Sequence, residues 1–357
     1  MIPVTKSFLP PIEKYTSFVQ RAYDNQWLTN RGELVCELEV KISNYLNLDQ
    51  SQILLTNNGT IPLQIAIQLL AKRGEVITTP FSYVATTAAI VWEGCTPVFV
   101  DIHPEYLTID ETKIEEAITS KTTCILATHV YGNPCNVEEI DRIAKKHNLK
   151  VIYDAAHCFG VKYKGKSIFE YGDVSTCSFH ATKIFHTGEG GAIFCKNEEL
   201  FAKLFHHHNF GHDGPLNFHG LGINGKMSEL HAAMGLSVLP YMDAIIKKRK
   251  DIIDFYNKKI KTSKKIKLRG NTEWNYSYYP VIFKNEEVLL HVQEKLNRQD
   301  IYPRRYFFPS LEKLPYLEGN MICNISSTIS KQILCLPSFH DICKTDLQII
   351  AKTINSI

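Results

Sequence analysis

The 357-residue chain has no run of roughly 18 uncharged apolar residues, the length a membrane-crossing helix needs. Its ten cysteines, scattered from Cys36 to Cys343, form no C-x-x-C pair, which excludes the common zinc and disulfide frameworks and fits buried reduced thiols. No strand-like run ends in G-x-G-x-x-G, so the commonest dinucleotide fingerprint is missing. Nor is there a surplus of one charge: 40 Lys and Arg face 37 Asp and Glu, which argues against nucleic acid or another polyanion as partner. The opening MIPVTKSFLPPIEKY has two adjacent prolines and no long apolar core, unlike a signal peptide. These absences predict a soluble cytoplasmic protein without a membrane partner. Three adjacent histidines, His206 to His208, splay around a helix axis and do not converge on one ion, so no metal is predicted.

What is present is an alternation. The runs 52–56, 75–79, 97–102, 124–130 and 150–156 are short and apolar, as buried strands are. Between them, 60–74, 82–94, 111–121 and 136–148 place apolar residues at three-to-four spacing, as helices do. This βαβ order predicts an α/β fold with a mostly parallel central sheet and helices on both faces. A long amphipathic helix near 240–262 begins a different texture, and the boundary is placed near Pro240: a large domain over 1–240, including an N-terminal arm, and a small C-terminal α+β domain over 241–357. Inside that helix, KKRK at Lys247 to Lys250 follows Ile245 and Ile246 and precedes Ile252 and Ile253, the pattern of a solvated face.

GVKYKGKS, residues 160–167, matches the phosphate-loop pattern to the letter, but SIFEYGDVS after it has no helical periodicity, so the stretch is predicted to be a hairpin turning at Gly165. Chemistry is better sought at the carboxyl ends of the strands, where ligands bind in parallel sheets. Asp154 ends one strand; a carboxylate there either meets a cation or caps the next turn. Gly59 and Thr60 join another strand to a helix with Pro62 in its first turn, an expected anion site with free backbone N–H groups, though an ordinary turn has the same sequence. Tyr83 starts the next helix, where its ring either covers a flat ligand or packs in the core.

Lys183 lies in SFHATKIFHTGEGGAIF, between two apolar strands and just before a glycine-rich turn. A desolvated amine has a lowered pKa and becomes nucleophilic. A reactive lysine, a carboxylate at the ligand edge, a phosphate-accepting helix start and a covering aromatic together describe a site for pyridoxal phosphate. Asp154 would keep the pyridine nitrogen protonated, Ser178 would add a hydroxyl to the phosphate site, and His157 would hydrogen-bond the ring oxygen; a strand serine and a satisfied histidine are the plainer alternatives for the last two.

The order and spacing of NNGTIPLQ, EVITTPFSYVATTAAI, THVYGNPCNVEEI, VIYDAAHCFG, SFHATKIFHTGEGGAIF and GINGKMSELHAAMGL closely resemble the nucleotide-sugar aminotransferases of the DegT/DnrJ/EryC1/StrS group. The resemblance implies an aspartate-aminotransferase-like fold (pyridoxal-phosphate fold type I) in a homodimer with composite active sites. It also implies that Lys183 carries the cofactor, with Asp154 at its ring nitrogen, His157 at its ring oxygen, Tyr83 over the ring and Gly59, Thr60 and Ser178 at the phosphate. Asn224 would reach in from the neighbouring subunit. In that last block Lys226 stands where the family commonly has arginine, which cannot be matched two-pronged by a lysine.

The implied reaction is ping-pong: L-glutamate gives up its amino group, leaving pyridoxamine phosphate, and a nucleotide-linked keto sugar then takes the amine. The histidine-bearing lysine motif resembles enzymes that aminate carbon 4 of a dTDP-linked 4-keto-6-deoxyhexose, for surface glycan synthesis, more than those acting on a 3-keto sugar. Arg31, His212, His219, Arg304 and Tyr306 are the expected substrate contacts. Two other readings are carried: a sugar dehydratase, which resembles these proteins but has histidine in place of the lysine, and a non-catalytic sugar-nucleotide-binding or regulatory protein, in which Lys183 or Asp154 would be missing.

Overall fold

The strands Ile53–Thr56, Glu75–Thr78, Thr96–Phe99, Thr122–Thr128, Lys150–Asp154, Val174–Ser178 and Gly191–Phe194 are buried almost throughout, as strands covered on both faces must be. The computed structural model, which describes residues 1–49, 52–317 and 322–356, joins them in one seven-stranded sheet. Its order is 53–56, 191–194, 174–178, 150–154, 122–128, 75–78, 96–99, and only Gly191–Phe194 runs antiparallel to its neighbours. Helices Ile61–Leu70, Val84–Trp92 and Val137–His147 return the chain between parallel strands, and separate apolar cores lie on the two faces. The predicted α/β architecture with a mostly parallel sheet is what is found. Lys162–Tyr163 and Lys166–Ser167 form the expected antiparallel hairpin, with Gly165 at φ +76° in its turn.

Three expectations fail locally. The predicted helix over 111–121 is two 3₁₀ turns, Glu111–Lys113 and Glu115–Ala117. Ile118 is already extended, and the Thr119 N–H goes to the Thr122 hydroxyl at 2.9 Å, which turns the chain into its next strand before an α-helix can form. KKRK is not wholly solvated either. Arg249 falls in step with Ile245, Ile252, Ile253 and Tyr256 on the apolar face of helix Met242–Lys259, is 3% exposed, and donates to the Ser277 carbonyl at 2.8 Å. Burial pushes its guanidinium down to about 10.

The third concerns the helix start after Ile53–Thr56. The Thr60 and Ile61 N–H groups, expected to be free, donate to the Asn58 side chain at 2.8 and 2.9 Å. Pro62 has no N–H to offer.

Beyond the sheet, Tyr279–Ile282 pairs with Ile333–Leu336, and helices Glu286–Asn297 and Lys344–Asn355 pack on that pair together with Ile252, Ile253 and Tyr256. Among the described residues no helix is long and apolar enough to cross a membrane.

Candidate active site

Five of the six parallel strands end on one cavity of about 300 Å³. Asn58, Gly59 and Thr60 follow the first strand; Ser82 and Tyr83 follow the second; Thr128, Asp154 and Ser178 are themselves strand ends. Loops converge at the carboxyl end of a parallel sheet because every strand there hands over to its crossover. Tyr278, Arg304, Tyr306 and Phe307 close the opposite wall.

Asp154 is 5% exposed and cannot rotate freely. Its Oδ2 accepts from the Thr86 hydroxyl at 2.6 Å and its Oδ1 from the Ala156 N–H at 3.1 Å. Thr86, in the first turn of helix Val84–Trp92, is 2.7 Å from the Ser82 hydroxyl, which accepts from the Thr128 hydroxyl at 3.1 Å. Burial raises the Asp154 carboxyl, and these hydrogen bonds and the charge of Lys183 oppose the rise. Lys183, on the loop after Val174–Ser178, is only half-buried by exposure, yet protein surrounds its amine and desolvation lowers its pKa against the pull of Asp154. Its Nζ makes no hydrogen bond among the described residues.

Burial drives His157 well below the usual imidazole range, and the Tyr131 N–H donates to its Nδ1 at 3.1 Å. A neutral ring accepting at Nδ1 carries its proton at Nε2. Gly59 is required for space: a Cβ there would stand 2.6 Å from Ser178 Cβ and 2.7 Å from its Oγ. The turn at Gly59 therefore lies directly against Ser178, and both border the cavity together with Thr60. Tyr83 borders the cavity with more than half its surface exposed.

A buried fixed carboxylate, an unpaired amine of lowered pKa, a hydroxyl-lined turn that a side chain would fill and an N–H-bearing imidazole suit the ring nitrogen, carbonyl, phosphate and ring oxygen of pyridoxal phosphate.

Other expected contacts lie elsewhere in this chain. Arg31 pairs two-pronged with the buried Glu39, at 2.7 and 3.1 Å, away from the cavity. His212 turns its ring to Phe218, and His219 holds Asp213 at 2.7 Å on an exposed hairpin. Donor atoms of His206, Asp213 and His219 lie within 4.8 Å of one another there. Asn224 is exposed; its side chain accepts from Lys226 Nζ at 2.9 Å, and Lys226 also donates to Asn209 at 2.8 Å. Arg304 and Tyr306 do reach the cavity.

Sequence reading missed Ser82, Thr86 and Thr128, the hydroxyls behind Asp154. Their signal was faint: single hydroxyls at strand ends or in a helix's first turn, among many threonines. It also missed His180 and Glu189, which face each other across 3.6 Å at the cavity rim, and the wall residues Tyr278 and Phe307.

The chain is similar to known proteins over almost its whole length. The dTDP-4-amino-4,6-dideoxy-D-glucose transaminase of Shigella dysenteriae is 41% identical over 362 residues, covering 99% of this chain and 98% of that protein. The protein of the same name from Escherichia coli is 40% identical, covering 96% and 94%. The crystal structure of DesI in the presence of its TDP-sugar product superposes with a TM-score of 0.93 at 28% identity, covering 99% of this chain and 92% of that one. A family model matches residues 12–355, and the chain belongs to that family, the DegT/DnrJ/EryC1/StrS aminotransferases.

Proposed function

We propose that this aminotransferase moves an amino group from L-glutamate to carbon 4 of a dTDP-linked 4-keto-6-deoxyhexose. Aminotransferase activity on a nucleotide sugar follows from the family and from relatives at 40% and 41% identity across nearly the whole chain. The names of those relatives, both 4-amino sugar transaminases, support carbon 4 over carbon 3. Lys183 and Asp154 are both present and both in the cavity, which favours neither the dehydratase nor the non-catalytic reading.

Pyridoxal phosphate is the cofactor of this family. When bound it supplies a carbonyl carbon that condenses with amines and a ring that draws electrons from the substrate carbon. In this reading Lys183 holds that carbonyl carbon, Asp154 the ring nitrogen and His157 Nε2–H the ring oxygen. Gly59, Thr60 and Ser178 take the phosphate, and Tyr83 covers the ring. With the cofactor bound, the Lys183 amine would be the group placed to take the proton from the α-carbon of glutamate and to deliver one to the sugar carbon that receives nitrogen. Its lowered pKa keeps a share of the amine unprotonated for that work.

The active unit is a homodimer in which Asn224, held by Lys226, completes the site of a second copy. Trp27, Leu28, Tyr83, Phe218 and Leu221, large apolar side chains exposed in the single chain, support such a partner. The two-domain division near Pro240 is supported by helix Met242–Lys259, whose Ile245 joins the large core and whose Ile252 joins the small one.

The observation that carries the reading is the Lys183 amine, without a hydrogen-bond partner among the described residues, in one cavity with the fixed carboxylate of Asp154. It is tested by the visible absorption of the purified protein with pyridoxal phosphate. The wild type is expected to be yellow and to bleach with L-glutamate, and Lys183→Ala to lack both responses. A wild type indifferent to glutamate sinks the proposal.

A further inference from the structure

The proposed function leaves the carboxylates of glutamate without a partner. In that reading Asp154, Lys183 and His157 are committed to the cofactor, and His180 faces Glu189 at the rim. One charged group on the cavity wall remains, Arg304.

Its backbone is fixed: the Arg304 N–H donates to the Cys335 carbonyl at 3.2 Å and its carbonyl accepts from the Cys335 N–H at 2.8 Å, which ties it to the buried strand Ile333–Leu336. Its guanidinium lies 5.2 Å over the ring of Tyr306, and its charge is felt at Tyr278 and Tyr306, opposing the rise that burial imposes on both phenols. Tyr306 in turn feels the charge of Lys183. Arg305, one residue on, points the other way, pairing with Glu286 at 2.6 Å and covering Phe308. Among the described residues no carboxylate pairs with Arg304. Two adjacent arginines thus differ in that one is neutralised in the fold and the other, on the wall of the cavity that holds Lys183, meets no carboxylate among the described residues.

We propose that Arg304 receives the α-carboxylate of L-glutamate in a two-pronged ion pair, an assignment that rests on the aminotransferase reading. The guanidinium fork matches a carboxylate in plane and spacing. The diphosphate of the sugar nucleotide is the other anion that enters this cavity. A whole hexose ring separates it from the carbon that takes the amine, whereas the α-carboxylate is bonded directly to the carbon that gives it up. Arg304 shares the cavity with Lys183 and stands over Tyr306, the phenol that also feels the Lys183 charge, which favours the anion nearest the reacting atom.

Because the reaction has separate halves, the two anions can be told apart. Wild type, Arg304→Gln and Arg304→Lys, loaded with pyridoxal phosphate, would be titrated with glutarate, a dicarboxylate that cannot transaminate, and with dTDP, and the glutamate half-reaction followed by absorption. Arg304→Gln is expected to weaken glutarate binding and raise the KM for glutamate by about ten- to hundredfold, with dTDP affinity and the limiting rate little changed. Arg304→Lys should fall between. Weakened dTDP with unchanged glutarate would assign Arg304 to the diphosphate and overturn the proposal; so would wild-type affinity for both. An equal loss of both ligands that Arg304→Lys does not relieve marks a structural role and overturns it as well. A wild type that ignores glutamate would instead defeat the aminotransferase reading itself.

Discussion

At Asp154 and Lys183 one physical cause acts on opposite charges: burial lifts the carboxyl and lowers the amine, so each is drawn toward its neutral form until a cation and an electrophile arrive. Buried histidines follow the same rule with a measurable consequence. Desolvation pushes His129 down to about 3 and His208 to about 4, and lowers His157 and His186. Unfolded, these imidazoles titrate near about 6.5. The unfolded chain therefore binds more protons between those limits, and stability, complete above about 6.5, should fall as pH drops below it and level off near about 4 and 3. His129 accepts from the Cys135 N–H at Nδ1, and its Nε2 has no hydrogen-bond partner among the described residues. His129→Gln should flatten the acid limb by about 1.4 kcal/mol per pH unit, read by urea unfolding at stepped pH. Parallel limbs for variant and wild type would show that His129 is not the titrating group.

Among the elements, the turn between strand Ile53–Thr56 and helix Ile61–Leu70 is the most constrained. Gly59 is not at positive φ; it is glycine because Ser178 leaves no room. Gly59→Ala should force the turn from the end of Val174–Ser178, costing about 1–3 kcal/mol in stability. The dissociation constant for pyridoxal phosphate should rise at least about tenfold, a change of about 1.4 kcal/mol in binding. Titration beside a far-UV spectrum checks both, and unchanged cofactor affinity would remove this turn from the phosphate site. Elsewhere the elements show where periodicity misleads. Residues 111–121 have helical spacing but too little chain before the next strand, and KKRK has the composition of a wet face while its third residue keeps the apolar spacing and is buried.

For the whole molecule, the proposed composite site makes a complementation test available. Lys183→Ala lacks the amine, and Asn224→Ala lacks the contribution to the neighbour, so each alone should be impaired. Mixed and allowed to exchange subunits, they should regain activity, because a mixed dimer contains one site with both residues native. No gain over the separate proteins would make each chain's site self-contained. The alternation of strands and helices and the placement of Lys183, Asp154 and Gly59 at or just beyond strand ends were legible in order and spacing, because backbone periodicity is local. The hydroxyls behind Asp154, the Asn58 cap on the expected free amides, the burial of Arg249 and the different fates of Arg304 and Arg305 were not. Each depends on which distant side chain the folded sheet brings within hydrogen-bond reach, and short-range pattern carries no record of that distance.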